Sequence, residues 1–183
     1  MNISSSRRLF LRNSAIAATG ITLLSSSGLN AFTESKNPYK GYNPYAENSN
    51  DFRNSTLFGD HITVKGKIFN QSGTVPISDA KVEVWHLSPD SSKFRHRGIL
   101  TTNNLGEYKF ITDFPNKEYG KTARVFYKIT SKNKVYFTEL LLTKNNAFIT
   151  SKHWEENQPL GEKLFPKKEK TLGQTTITLN ISI

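Results

Sequence analysis

The feature that most narrows what this chain can fold into is a period of two, recurring in segments too short for packed helices. It is cleanest in Thr175 to Ile183, where Ile177, Leu179, Ile181 and Ile183 alternate with Thr176, Thr178, Asn180 and Ser182. A strand with one buried and one wet face reads this way. Thr122 to Thr130 sets Ala123, Val125, Tyr127 and Ile129 against Arg124, Phe126 and Lys128. From Gly59 onward, Ile62, Val64, Gly66 and Ile68 alternate with polar neighbours until Asn70-Gln71-Ser72-Gly73 turns the chain, and Val135 to Leu142 follows the Lys132-Asn133-Lys134 turn. Short strands between turns, with no long helical period, predict an all-β fold, an antiparallel β-sandwich whose core the last segment closes.

The densest stretch is Asp79 to Phe110. Val82 and Val84 alternate with Glu83 and Trp85, which predicts a half-buried strand. Ser88 to Ser92 breaks the pattern, and Asn103-Asn104-Leu105-Gly106 makes a turn before Tyr108 and Phe110. Two stretches lack a period. Residues 32–58 form an irregular N-terminal arm whose Tyr39, Tyr42 and Tyr45, spaced by three, are expected to pack on the sandwich. Lys144 to Gly173 is polar, carries Pro159 and Pro166, and reads as a long surface loop before the last strand, with at most a short helical turn near Trp154.

With 183 residues and 36% hydrophobic content the chain can bury one ordinary core. Cysteine is absent, which excludes disulfides, thiolate metal ligands and a cysteine nucleophile. Ser6-Arg7-Arg8-Leu9-Phe10-Leu11-Arg12 matches a twin-arginine export signal, and the apolar run Ala15 to Leu24 follows it. That run is too short and too rich in Ser and Thr to span a bilayer, which takes about 20 apolar residues. The organisation expected is a signal peptide over 1–31 with cleavage after Ala31, the arm over 32–58 and the sandwich over 59–183, with a periplasmic or extracellular destination. Twin-arginine export carries folded proteins, often with an inserted cofactor. Removing Arg7, Arg8 and Arg12 from the formal charge of +10 leaves +7, spread over many lysines. No aromatic-interleaved basic repeat appears, which argues against nucleic acid as a partner.

The segments VEVWH (Val82 to His86), KFRHRG (Lys93 to Gly98) and LGEYKF (Leu105 to Phe110) resemble the intradiol ring-cleavage dioxygenases of the protocatechuate and catechol type, over roughly Gly59 to Leu142. The resemblance implies a β-sandwich holding a ferric ion on two tyrosines and two histidines. Carried over position by position, the first tyrosine falls on Phe94, the second on Tyr119, and the histidine pair on Arg124 and Phe126. The substrate-side arginine and glutamine of that family fall near Lys121 and on Glu139. At most one ligand, Tyr119, is kept, so the expectation is no cofactor, with Fe(III) only if the chain is an enzyme after all.

Replacement chemistry has little to draw on. His61, His86, His96 and His153 show no H-x-H or H-x-x-x-H spacing, although His86 and His96 flank one loop and can converge. Ser91 or Ser92 beside His96 lacks the strand-turn-helix context of an activated serine. Arg95, His96, Arg97, Lys121, Arg124 and Glu139 around Phe94, Tyr119 and Phe126 would suit a small aromatic or anionic ligand. The competing expectation is a basic, aromatic sheet surface that binds nothing. The function expected is an exported, non-catalytic binding or structural module. The rivals are a ferric dioxygenase cleaving catechol-type rings and an enzyme of other chemistry built on His86 and His96. The sequence leaves oligomeric state open.

Overall fold

Every period-two run becomes a strand in the computed structural model, which describes residues 39–183. The strands are β1 (His61–Phe69), β2 (Lys81–His86), β3 (His96–Thr101), β4 (Glu107–Asp113), β5 (Ala123–Ser131), β6 (Lys134–Leu142), β7 (Ala147–Ile149), β8 (Lys167–Thr171), β9 (Gln174–Thr178) and β10 (Ile181–Ser182). Among the described residues, a helix, α1 (Ser151–Glu156), and a 3-10 segment, Gln158–Leu164, complete the order. The export signal and its cleavage point after Ala31 lie outside the described residues.

Two five-stranded sheets form. In the first, β4 lies antiparallel on one side of β1, β9 and β10 run parallel on the other, and β8 flanks β9. The second has the order β3-β2-β5-β6-β7, antiparallel throughout. Ile62, Val64 and Ile68 of β1 meet Val82, Val84, Val125, Tyr127 and Ile129 of the second sheet in one core, which Ile177, Leu179 and Ile181 close as expected. Each such side chain contributes about 1.5–3 kcal/mol on burial.

The last alternating segment is interrupted and runs parallel to β1. Its two pieces keep one register, Ile62 opposite Thr175 and Ile68 opposite Ile181. At the break the Asn180 side chain replaces a main-chain carbonyl, its Oδ1 accepting from Lys67 N at 3.0 Å. Leu179 N donates to Lys65 O at 2.8 Å, and the Leu179 carbonyl accepts from Tyr108 OH at 2.8 Å. Gly66 permits this approach, since a Cβ there would sit 1.6 Å from that carbonyl oxygen.

Residues 144–173 are more structured than a surface loop. They add β7 to one sheet and β8 to the other, and between them bury His153, Asn157, Leu160 and Leu164. Thr150 caps α1, accepting from His153 N at 3.2 Å. Fully buried Asn157 accepts from Ser182 N (2.6 Å) and Oγ (3.0 Å) and donates to Tyr136 OH (2.9 Å). The turn near Trp154 is where it was expected.

The arm is irregular but stitched to both sheets. Ser49 N donates to Ile99 O and Ile99 N to Glu47 O, along the free edge of β3. Ile111 N then donates to Asn50 O and Phe52 N to Ile111 O, both at 2.8 Å, along the free edge of β4. Phe52 is thereby inserted into the core, stacked on Phe110 at 5.1 Å.

Candidate functional site

The outward face of the second sheet carries two rows of cross-strand neighbours, Trp85–Phe126–Glu139 and Glu83–Lys128–Phe137. The period of two puts these six residues opposite the core. They are nevertheless covered, because the arm lies over them. Tyr39 packs 5.0 Å from Phe126 and 6.5 Å from Phe137, and Tyr42 sits 5.2 Å from Trp85. Trp85 Nε1 donates to Lys40 O at 3.1 Å. Tyr42 OH donates to Glu83 Oε1 at 2.9 Å and accepts from Lys128 Nζ at 2.6 Å. β2 is therefore buried on both faces rather than half-buried, with Trp85 only 2% exposed. Of the three arm tyrosines, Tyr45 alone stays in solvent.

At the end of this face lies the concavity that the sequence brings together in part. Phe94 and Phe126 face each other at 6.1 Å, Phe126 stacks on Trp85 at 5.7 Å, and Gly41 seats on the Phe94 ring. A Cβ at Gly41, whose φ is +83°, would lie 2.2 Å from that ring. Leu87, Thr122, Lys121 and Arg124 finish the lining and leave a cavity of about 20 Å³. That is about the room one water needs.

The cations expected here are neutralised or elsewhere. Arg124 Nη1 donates to both carboxylate oxygens of the buried Glu139, at 3.0 and 2.9 Å, and Lys121 pairs with Glu118. Arg95 and Arg97 are exposed and outside the lining; Arg97 Nη1 donates instead to Phe94 O at 3.3 Å. His96, one residue out of phase with them, points between the sheets and is 2% exposed. Tyr119 is fully exposed, because the Lys121 N to Glu118 O bond closes a turn that throws its ring outward.

A ferric ion does not fit these side chains. Of the four positions that the resemblance assigns to ligands, Phe94 and Phe126 carry no donor atom, Arg124 is a cation already paired, and Tyr119 stands in solvent. Tyr39, near Phe126, offers a phenol whose pKa is pushed up to about 12, first by burial and then by the Glu139 carboxylate. A tyrosinate ligand needs the opposite shift. Among the described residues no group of three or more His, Cys, Asp or Glu is arranged to hold a metal ion.

His86 and His96 do converge, with ring centroids 4.9 Å apart, but inside the sandwich. His86 Nδ1 donates to Leu87 O at 2.8 Å, leaving Nε2 to accept from Thr112 Oγ1 at 2.7 Å, and burial holds its pKa down to about 3. His96 lies between Asp113 Oδ2 and Ser88 Oγ, each at 2.9 Å. The serine that meets it is thus Ser88, not Ser91 or Ser92. Its hydroxyl is enclosed, with Ser88 4% exposed, and Asp113 also accepts from Asn54 N of the arm at 2.9 Å. The network ties loop and arm to the sheets and presents no nucleophile to solvent. Asp113, Lys128 and Gly41 carry no signal in the sequence because each acts through a partner remote along the chain, and Ser88 meets His96 across the loop that Ser91 and Ser92 share.

No family model matches the sequence. Two curated proteins, each named "Putative dioxygenase", are similar to it: one of Rickettsia typhi, 30% identical over 134 residues, and one of Rickettsia felis, 34% identical over 126. These matches cover 57% and 53% of this chain, and the chain spans only 64% and 60% of the relatives' own length. Among solved structures, the dioxygenase domain of a dioxygenase carbohydrate-binding protein fusion from Streptomyces sp. SirexAA-E superposes with a TM-score of 0.60 at 18% identity. That match covers 81% of this chain and 94% of that one. An intradiol ring-cleavage dioxygenase from Tetranychus urticae gives 0.59 at 17% identity, covering 80% and 90%. The 3-chlorocatechol 1,2-dioxygenase of Rhodococcus opacus 1CP gives 0.56 at 16%, covering 79% and 69%.

Proposed function

We propose that the chain is an intradiol dioxygenase-like protein, a non-catalytic binding or structural module built on that scaffold and exported by the twin-arginine route. The observation that carries this reading is the packing at the family's ligand positions. Phe94 and Phe126 serve as the platform on which Tyr39, Gly41 and Tyr42 of the arm are seated, and Arg124 neutralises the buried Glu139. Residues committed to holding the arm and to pairing a buried carboxylate are not free to bind iron or substrate. The concavity, of about 20 Å³, is small beside the aromatic ligand expected from the sequence, which favours recognition at the outer surfaces. The export part of the reading rests on Ser6 to Arg12.

A second reading, a ferric-iron-dependent dioxygenase cleaving catechol-type rings, is favoured by the fold and by the names of the relatives. One experiment separates the two. The protein is recovered from the periplasmic or extracellular fraction, and its iron content and visible spectrum are measured. The expected sample is folded, colourless and free of stoichiometric iron. Near-stoichiometric iron with a tyrosinate-to-iron absorption band overturns the proposal in favour of the enzyme, and absence of the protein from those fractions overturns export.

A further inference from the structure

Where β1 begins and β4 ends, three large apolar side chains stand in solvent: Leu57, 83% exposed, Phe58, 79%, and Leu172, 103%. Leu172 breaks two rules at once. It occupies the two-residue turn between the paired Thr171 and Gln174, with φ at +48° and Gly173 following at +83°. A hairpin turn of this kind takes Asn, Asp or Gly, which enter the left-handed region easily, whereas a leucine there is strained. Nothing within the described residues compensates that strain by burying the side chain, and an uncompensated local conflict points to a use outside the fold.

The surroundings supply the charge. Asp60 lines three adjoining hollows, one shared with Leu172, one with Phe58 and one with Lys144, Lys168 and Lys170. Lys168 Nζ donates to the Thr143 and Lys144 carbonyls, at 2.8 Å each, which fixes the β6–β7 turn against β8 and holds Lys144 beside Lys168. Lys144, Lys168 and Lys170 thus line one hollow with Asp60, which also borders the hollows lined by Phe58 and by Leu172.

We propose that this end of the sandwich docks peripherally on an anionic lipid bilayer. Leu57, Phe58 and Leu172 enter the boundary between headgroups and acyl chains, and Lys144, Lys168 and Lys170 meet the lipid phosphates. Leu57 and Phe58 project from one bend and Leu172 from a separate hairpin turn, beside hollows whose lining is largely polar. A fluid lipid layer closes around separate knobs, while a protein partner would need matching hollows for each. The excess of lysine selects anionic over neutral lipid. Among the described residues no helix is long and apolar enough to cross a membrane, and the contact proposed needs none. It is independent of whether the family iron site is empty.

Cosedimentation of the full chain with vesicles tests this, using phosphatidylcholine alone against equimolar phosphatidylcholine and phosphatidylglycerol. Residues 1–36 are common to every variant, so the readout is the difference between variants. Leu172→Asn, which suits the turn, and Phe58→Ser should each weaken binding to the anionic vesicles about tenfold. Lys144→Glu with Lys170→Glu should remove the preference for anionic lipid. Unchanged binding by folded Leu172→Asn and Phe58→Ser proteins overturns the proposal. So does a dimer in gel filtration that these substitutions dissociate, which would assign the knobs to a second copy of the chain.

Discussion

Arg124 and Glu139 are diagonal neighbours on adjacent strands, Arg124 lying opposite Leu141 and Glu139 opposite Phe126, and their pairing governs what the position can do. The carboxylate is 7% exposed, and both of its oxygens accept from a single guanidinium nitrogen. Removing the arginine leaves a charge with no partner in a poorly hydrated place, a worse outcome than removing both. Arg124 is itself partly exposed, so solvent screens some of the loss. Arg124→Ala is therefore expected to destabilise the domain by about 1–3 kcal/mol in urea unfolding, and Arg124→Met with Glu139→Leu by less than the single change. A double variant as unstable as Arg124→Ala would show that the pair matters through packing of the arginine stem and not through charge.

At the scale of elements, the arm does work that its composition hides. It runs along the open edges of β3 and β4, which belong to different sheets, and satisfies main-chain groups that edge strands otherwise leave exposed. It then covers Trp85 and Phe126 with two tyrosines. Gly41 is the hinge of that coverage, since its φ of +83° and its contact with the Phe94 ring both exclude a side chain. Gly41→Ala should lift residues 39–45 from the sheet, lower stability by about 1–3 kcal/mol and shift Trp85 emission to the red. An unchanged emission spectrum and unfolding midpoint would mean that the arm is not seated there in solution. The region of β7, α1 and β8 is held by a comparable device, with Asn157 joining Ser182 of β10 to Tyr136 of β6.

For the whole molecule, the buried histidines set the response to acid. Burial holds the pKa of His86 down to about 3 and that of His153 to about 4, against 6.5 for the free side chain. Between pH 6.5 and 4 the unfolded chain binds up to two protons that the folded chain refuses, so stability rises with pH through this window. It is complete above pH 6.5 and is lost as the pH falls, by up to about 1.4 kcal/mol per pH unit for each histidine. Urea midpoints measured from pH 7 to 4 should fall accordingly, and His153→Gln should flatten the slope by about one proton. A profile flat over that range would show that these rings accept protons in the folded state.

The sequence by itself determined the strands that alternate and which of their residues face the core, but not β7 and β8, which lie in the stretch read as a loop. Alternation is a property of each segment, and Ala123 to Ile129 is buried residue by residue as its pattern states. It also carried the resemblance to the intradiol dioxygenases, through segments that form contiguous strands and one turn. The tertiary structure alone decided what depends on pairing across the chain. The final segment's parallel course beside β1 follows from contacts more than a hundred residues apart. Leu160 and Leu164, at helical spacing, are a signal in the 144–173 excursion that its polar composition masks, and only the packing under β10 gives it meaning. The candidate site divides the same way. Phe94, Lys121, Arg124 and Phe126 converge because strand phase and a single loop fix them, whereas Tyr119 was assigned by order along the chain and is turned outward by a local hydrogen bond. The tyrosine spacing of the arm announced packing on the sandwich, but that Tyr39 lands on Phe126 was decided by aromatic burial and edge-strand hydrogen bonds, which depend on residues far along the chain.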